Sequence, residues 1–138
     1  MIEIAGIDHI VLRTTQLERM LDFYSGVLGC AVERQSSVEF GLTQLRAGSA
    51  MIDLVTVDSS LGRAGGAAPQ QKGNNLDHFC LQVQSMSEAE LTAHLQAHGI
   101  EIPEFAERYG AQGLCRTVYI SDPDGNTVEL VSMIINEP

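Results

Sequence analysis

Apolar and polar positions recur in the same order in the two halves of the chain. Ile7-Asp8-His9-Ile10-Val11-Leu12 and Leu76-Asp77-His78-Phe79-Cys80-Leu81 both read apolar, Asp, His, apolar, any residue, Leu. A second pair, Ile52-Asp53-Leu54-Val55 and Val128-Glu129-Leu130-Val131, reads apolar, acid, Leu, Val. Because the His segment precedes the acid segment in each half, the pattern predicts an internal duplication.

Each His segment is followed by a stretch with helical character. Between Leu17 and Leu28 the apolar residues recur at intervals of three and four, and Gly29 then ends the pattern. In the second half Ser87 and Glu90 have the spacing of a capping box, and Gly99 follows the helix. The sequence therefore predicts one helix in each half.

Short runs with strand character complete both halves. We predict strands at Val32 to Gln35, Val38 to Leu45, Ala50 to Val57, Leu114 to Ser121 and Asn126 to Ile134. Asp122-Pro123-Asp124-Gly125-Asn126 is a strong turn sequence between the last two strands. Each half therefore reads β-α-β-β-β, with the second strand of the second half left open.

A glycine-rich stretch from Gly62 to Gly73 separates the halves. It lacks the Gly-Lys-Ser/Thr ending of a phosphate-binding loop, and its composition is typical of a mobile connection. We expect an α+β protein with one domain over residues 1–138. Module one covers about residues 4–60, the linker residues 61–74, and module two about residues 75–135.

Charge and composition narrow the classes of partner. The chain has 138 residues, 8 basic and 18 acidic, for a formal net charge of −10. Such an acidic chain is a poor nucleic-acid or anionic-membrane binder, because both partners need clustered basic residues. The N-terminal residues show no secretory leader pattern, and three cysteines, Cys30, Cys80 and Cys115, form no C-x-x-C pair. We expect reduced, buried thiols in a cytoplasmic protein.

Four residues of the duplicated segments carry the candidate chemistry: His9, Asp53, His78 and Glu129. Each acid lies in an apolar strand, where a carboxylate is costly unless it is paired, protonated or bound to a cation. If the halves pair about a pseudo-twofold axis, the four side chains converge. Two imidazoles with one or two carboxylates suit Fe(II), Mn(II), Zn(II) or Ni(II). The alternative, that they are ordinary core or edge residues, stays open at this point.

Two further groups carry weaker signals. His94 and His98 are four residues apart on the second helix, a spacing that can bind zinc, but we favour a solvated or half-buried helix face. Cys80 shares a strand face with His78, and we expect it to line the same pocket rather than to act as a nucleophile.

In combination these segments resemble the vicinal oxygen chelate superfamily, also called the glyoxalase, bleomycin-resistance and dioxygenase superfamily. The resemblance extends from about Ile4 to Met133. It rests on the two Asp-His segments, on Phe23-Tyr24 with Leu28-Gly29, and on the stretch from Asp122 to Leu130. It implies paired β-α-β-β-β modules that form a curled mixed sheet around a metal cavity.

The resemblance also implies roles for individual residues. His9, His78 and Glu129 correspond to the metal ligands, a divalent Zn, Ni, Mn or Fe ion being the expected cofactor. Asp53 lies where glyoxalase I enzymes place a fourth ligand, usually Glu, and is one methylene shorter. It therefore binds the metal less closely, acts on it through a water molecule or serves as a base beside it, and both Glu129 and Asp53 are candidate catalytic groups.

A second, local likeness concerns the strand before Glu129. The segments Arg108-Tyr109-Gly110-Ala111-Gln112-Gly113 and Thr117-Val118-Tyr119 resemble those of fosfomycin-modifying enzymes, whose hydroxyls at these positions meet the substrate. Thr117 and Tyr119 are therefore expected to bind substrate, with Arg108 orienting an anionic or carbonyl group.

We expect a metal-dependent lyase or isomerase of glyoxalase type that acts on a small molecule. The alternatives are an Fe(II) extradiol-type dioxygenase, thiol or water addition to an epoxide of the fosfomycin-resistance type, and a non-catalytic drug-binding resistance protein. The resemblance also implies a homodimer. The sequence leaves open whether one chain or two supply the ligands of a site.

Overall fold

The computed structural model describes residues 1–84 and 86–133. The chain forms two compact units, Met1–Gln70 and Gln71–Pro138. Each unit contains a four-stranded mixed sheet and a helix that follows its first strand.

The first unit contains the elements of the predicted first module. They are β1 (His9–Thr14), α1 (Leu17–Leu21), β2 (Val32–Gln35), β3 (Leu42–Ala47) and β4 (Ala50–Thr56). The strand order is β1-β4-β3-β2. Strand β1 runs parallel to β4, and the other two pairs are antiparallel.

The second unit repeats this arrangement. Its elements are β5 (His78–Val83), α2 (Glu88–Ala97), β6 (Ala106–Gly110), β7 (Gly113–Ser121) and β8 (Thr127–Ser132). The strand order is β5-β8-β7-β6, again with the first strand parallel to the last. The α+β class and the duplicated β-α-β-β-β order are thus confirmed, and β6 supplies the strand that the sequence left open.

One predicted strand begins too early, another ends outside the described residues, and the other strand ends agree with the predictions to within two residues. The predicted strand from Val38 is wrong at its start, because β3 begins only at Leu42. Ser37 holds a turn there: its hydroxyl accepts from the backbone N–H of Phe40 and its carbonyl from that of Gly41, whose φ is +83°. At the other end of the chain, β8 is described to Ser132, and the predicted strand end at Ile134 lies outside the described residues.

The first helix changes its geometry after one turn. The α-helical part ends at Leu21, and residues Asp22–Val27 continue as a π-helix. Gly29 ends the segment with a φ of +76°, as the sequence predicts. The wider turn keeps Phe23 and Tyr24 buried, with their rings edge to face at 4.9 Å.

Each central strand has an apolar face toward the core and an acid on the other face. In β4, Ile52 and Leu54 are buried, and Asp53 points to the opposite side of the sheet. In β8, Val128 and Leu130 are buried in the same way, with Glu129 between them. The pleat alone therefore separates the side chains of the core from those of the candidate site.

Helix α2 is held by polar contacts at its start. The hydroxyl of Ser87 accepts from the N–H of Glu90, and the carboxylate of Glu90 accepts from the N–H of Ser87, so the predicted capping box is present. Glu88 receives two hydrogen bonds from Arg116 of β7 at 2.9 and 3.2 Å. These contacts fix α2 beside the face of the sheet opposite Glu129, because Arg116 and Tyr119 have opposite parity on β7.

The first part of the predicted linker is ordered. Residues Gly62–Gly65 form a short 3₁₀ turn, and Arg13 of β1 donates to the carbonyls of Gly62, Gly66 and Ala67. Composition predicted a mobile connection here, but the arginine holds it against β1. No helix in the described parts of the chain is long and apolar enough to cross a membrane.

Candidate functional site

The two His-acid pairs occupy equivalent places in their units. His9 lies beside Met51 in the parallel register of β1 and β4, so Asp53 is two residues further along the neighbouring strand. His78 lies beside Thr127 in the same way, two residues before Glu129. Since residues two apart on a strand share a face, each sheet presents one imidazole and one carboxylate on the same side.

In the second unit the pair is in direct contact. His78 Nε2 lies 3.2 Å from Glu129 Oε1, and its other ring nitrogen, Nδ1, lies 2.7 Å from the carboxylate of Asp77. Glu129 is 8% exposed. A neutral His78 that donates from Nδ1 to Asp77 presents only a lone pair toward Glu129. Either a proton or a cation must then lie between Nε2 and the carboxylate.

In the first unit the acid is buried and only half satisfied. Asp53 is 3% exposed, and its Oδ2 accepts a hydrogen bond of 3.2 Å from Gln44 Nε2. Its Oδ1 is buried without a hydrogen-bond partner among the described residues. A buried, unpaired carboxylate oxygen is costly, and a bound cation or a transferable proton is the usual remedy.

His9 is more exposed than its counterpart. Its Nδ1 lies 2.6 Å from Asp8 Oδ1, and 47% of its side chain is exposed. The hydrogen bond with Asp8 is the main cause that raises the pKa of His9, and the negative charge of Asp53 adds to it. Asp8 and Asp53 thus favour a positive charge at the His9 imidazole.

The donor set fits a divalent ion. Ligand atoms bonded at about 2.1 Å to one ion lie about 3.0 Å apart on an octahedral edge and about 3.4 Å on a tetrahedral edge. The 3.2 Å between His78 Nε2 and Glu129 Oε1 lies between these values. Neither unit gathers three or more His, Cys, Asp or Glu side chains into a metal-binding group within residues 1–84 and 86–133. The contacting pair of His78 and Glu129 supplies two candidate ligands.

The predicted substrate-binding residues surround the second pair. The ring of Tyr119 packs edge to face against His78, with centroids 5.3 Å apart, and Tyr119 lies opposite Glu129 in the β7–β8 register. The guanidinium of Arg108 stacks over Tyr119 at 4.3 Å and donates to both oxygens of Thr117. The structure thus brings these three residues together with His78 and Glu129 on one face of the second sheet.

Comparison with known proteins identifies the family of the chain. The profile described as Glyoxalase/Bleomycin resistance protein/Dioxygenase superfamily matches residues 6–130. The chain belongs to this superfamily.

Two curated relatives of this superfamily member are similar over most of its length. A glyoxalase domain-containing protein of Mycosarcoma maydis is 31% identical over 144 residues, which cover 95% of this chain and 70% of the relative. Catechol-2,3-dioxygenase of Bacillus subtilis is 28% identical over 125 residues, 90% of this chain and 40% of the enzyme. The chain therefore spans less than half of the dioxygenase.

Solved structures share the fold. An integron cassette protein of V. Pseudocholerae aligns with a TM-score of 0.80 and 24% identity, over 98% of this chain and 99% of that one. Lactoylglutathione lyase of Agrobacterium tumefaciens gives 0.65 and 24% over 94% of both chains. A fosfomycin resistance protein of Listeria monocytogenes gives 0.68 and 24% over 94% of this chain and 91% of that one.

Three residues that contact the candidate ligands within their own units were not predicted. Asp8 and Asp77 each contact the Nδ1 of the following histidine, and Gln44 donates to Asp53. The repeated Asp-His dipeptide was the available signal for the first two. Gln44 lies opposite Asp53, as Tyr119 lies opposite Glu129, so the duplication itself could have identified it.

Of the remaining candidates, His94 and His98 belong to the α2 region, whereas Cys80 lies opposite Glu129 in the β5–β8 register. The rings of His94 and His98 contact each other at the end of α2, with their centroids 4.8 Å apart. His94 is half-buried and His98 is exposed, as predicted.

Of the three free cysteines only Cys30 is buried, so the expectation of buried thiols is wrong for the exposed Cys80. Loss of water around the Cys80 sulfur, with the charge of Glu129, nevertheless raises its pKa to about 11. A nucleophilic thiolate is therefore disfavoured near neutral pH.

Proposed function

We propose that this protein is a metal-dependent lyase or isomerase of glyoxalase type that acts on a small molecule with two neighbouring oxygen atoms. His9, His78 and Glu129 would hold a divalent Zn, Ni, Mn or Fe ion, with Asp53 as fourth ligand or adjacent base. The observation that carries the proposal is the contact between His78 Nε2 and Glu129 Oε1. Because a neutral His78 can donate to only one of its two carboxylate neighbours, Asp77 and Glu129, a cation or a second proton is needed to satisfy both contacts.

The bound cation, Asp53 and Gln44 would each have a different role in the reaction. When bound, the cation supplies stabilisation of the negative charge that develops on substrate oxygens. Asp53 is suited to accept a proton from a carbon next to a substrate carbonyl and to return it to the neighbouring carbon, because its Oδ1 is buried and unbonded. Gln44 fixes the other oxygen and so orients this carboxylate.

Ring cleavage of a catechol by an Fe(II) site is the second candidate. It is supported by the 28% identity to catechol-2,3-dioxygenase and by a donor set of two imidazoles and a carboxylate, which suits non-haem iron. Epoxide opening of the fosfomycin-resistance type and ligand binding without catalysis are the further outcomes that a substrate panel must separate.

Metal analysis of the purified protein tests the ligand assignment. We expect bound dication in the wild type and loss of most of it in His78→Ala and Glu129→Gln, with the fold retained by circular dichroism. His98→Ala and Glu101→Gln serve as matched controls, since both residues are exposed and lie outside the site. Equal metal content in all five proteins would overturn the assignment.

The same readout shows whether one chain or two supply a site. Metal binding is measured for His9→Ala and His78→Ala separately and after they are refolded together. If each site combines modules of two chains, roughly a quarter of the sites recover both histidines in a homodimer. If each site lies within one chain, no sites recover.

Activity assays then decide between the chemistries. The metal-loaded protein is incubated with a hemithioacetal of an α-ketoaldehyde, with an epoxide and a thiol, and with a catechol under oxygen. The proposal predicts turnover of the hemithioacetal class and its loss in Asp53→Asn. Turnover of the catechol alone would establish the dioxygenase instead.

A further inference from the structure

One arginine of the second sheet is held in place without a carboxylate partner. Nη1 of Arg108 donates to the carbonyl of Thr117 at 3.0 Å and to its hydroxyl at 2.7 Å. Thr117 is 2% exposed, so this anchor is buried. The guanidinium also stacks on Tyr119, with Cζ 4.3 Å from the ring centroid. Arg108 is thus fixed at two points before any ligand binds.

Two other arginines of the described chain, Arg46 and Arg116, are bound to carboxylates. Arg116 places Nε and Nη2 on the two oxygens of Glu88, and Arg46 places the same atoms on Glu33. Arg108 uses only Nη1, and its Nε and Nη2 have no hydrogen-bond partner among residues 1–84 and 86–133. Its remaining donors form the edge that binds a planar two-oxygen anion.

The location of this edge connects it to the proposed reaction. Tyr119 contacts the Arg108 guanidinium through its ring face and the His78 imidazole through an edge contact. The Tyr119 ring therefore lies between a group bound to Arg108 and the His78–Glu129 pair. A fixed guanidinium without a carboxylate partner attracts anions at this place, although the chain as a whole, with its net charge of −10, repels them.

We infer that Arg108 binds a carboxylate of the substrate, so that the substrate is a small carboxylic acid whose two neighbouring oxygens lie on the far side of Tyr119. The fork geometry of a guanidinium fits a carboxylate in a bidentate manner and needs no other group of the protein. The inference rests on the proposed function for the reacting half of the substrate, whereas carboxylate binding itself requires only Arg108.

Binding of succinate to the metal-free, chelator-treated protein tests the inference separately from the proposed function. Calorimetry and the NMR resonance of the Arg108 Nε–H are the readouts, with succinamide as the uncharged probe of the same shape. We expect succinate to bind at least about tenfold more tightly than succinamide, since a charge-assisted hydrogen-bond pair is lost in the amide.

The variants identify the residue responsible. Arg108→Gln is expected to lose at least about tenfold of the succinate affinity, and Arg108→Lys, which keeps the charge without the fork, to lie between it and the wild type. Arg116→Gln is the matched control on the opposite face of β7 and is expected to bind succinate as the wild type does. Thermal unfolding verifies that each variant is folded.

Three results would overturn the inference. The first is equal affinity for succinate and succinamide, and the second is wild-type affinity in a folded Arg108→Gln. The third is binding of inorganic phosphate with no binding of succinate, which would assign the edge to a tetrahedral anion. Each of these results leaves the metal assignment unaffected.

Discussion

Asp53 and Glu129 are structural counterparts with different partners. Each lies in the strand that comes last along the chain in its unit, two residues beyond the position beside the module's histidine. Glu129 reaches His78, whereas the shorter Asp53 is bonded by Gln44 and keeps one oxygen unpaired. The duplicated fold thus places two acids alike, and the side-chain length and the facing residue separate their roles.

The hydrogen bond of Gln44 to Asp53 is expected to stabilise the first unit. Gln44→Leu leaves a buried carboxylate with neither oxygen bonded, so we expect the free energy of unfolding to fall by about 1–3 kcal/mol. Urea denaturation at pH 7 measures the difference. The double variant Gln44→Leu with Asp53→Leu removes both polar groups and is expected to recover stability, so an additive loss would contradict this account.

Much of the fold was predictable because local rules and tertiary packing agree there. Short sequence patterns that strongly favour one local structure predict the duplication, the capping box at Ser87 and the turn at Asp122. Asp122 accepts from the backbone N–H groups of Asp124 and Asn126, as such turns require. The side-by-side position of each histidine and acid follows from strand parity once the duplication is seen.

The rest depended on contacts that spacing does not encode. Alternating residues from Val38 to Phe40 suggest a strand, but Val38 is 92% exposed and the Ser37 turn delays β3. Neighbouring residues of a strand point to opposite faces, so spacing argues against contact between Asp8 and His9. The contact forms because His9 is the first residue of β1 and the preceding residue is not bound by the pleat.

The same limit applies to the arginine at the site. A resemblance placed Arg108 near the substrate, but its anchoring by Thr117 and Tyr119 depends on the pairing of β6 with β7, a strand pair that the sequence left open. A specific role for Arg108 can be argued only once the structure shows which of its N–H donors are already used by Thr117.

The ion pair between Glu33 and Arg46 predicts a dependence of stability on pH. Two hydrogen bonds from Arg46, at 2.9 and 3.1 Å, lower the pKa of Glu33 below its ordinary value of 4.5. The pair therefore stabilises the fold above that ordinary value, and the contribution is lost as the pH falls through the lowered pKa of the folded state.

The variant Glu33→Gln tests this sign. It is expected to be slightly less stable than the wild type at pH 7, and the difference is expected to shrink as the pH falls below 4.5 and at high salt. Thermal unfolding across this range measures it, with the exposed Glu3→Gln as control. A difference that grows in acid would show that the carboxylate acts in another way.

The capping box of α2 predicts a local loss of stability in Ser87→Ala. The variant leaves the N–H of Glu90 without its acceptor, and we expect unfolding to become easier by about 1 kcal/mol. Ser87→Thr retains the hydroxyl and is expected to lose less. Equal losses in the two variants would mean that packing of the buried Ser87, rather than its hydrogen bond, is responsible.

The three hydrogen bonds of Arg13 predict how the glycine-rich stretch responds to protease. Arg13→Met releases the carbonyls of Gly62, Gly66 and Ala67, so trypsin is expected to cleave after Arg63 several times faster than in the wild type. Mass spectrometry of a timed digest identifies the cut. Gly65→Ala is expected to act similarly, because an added Cβ meets the Arg13 side chain. The exposed Arg34→Met is the control, and faster cleavage there as well would indicate general unfolding instead of a released segment.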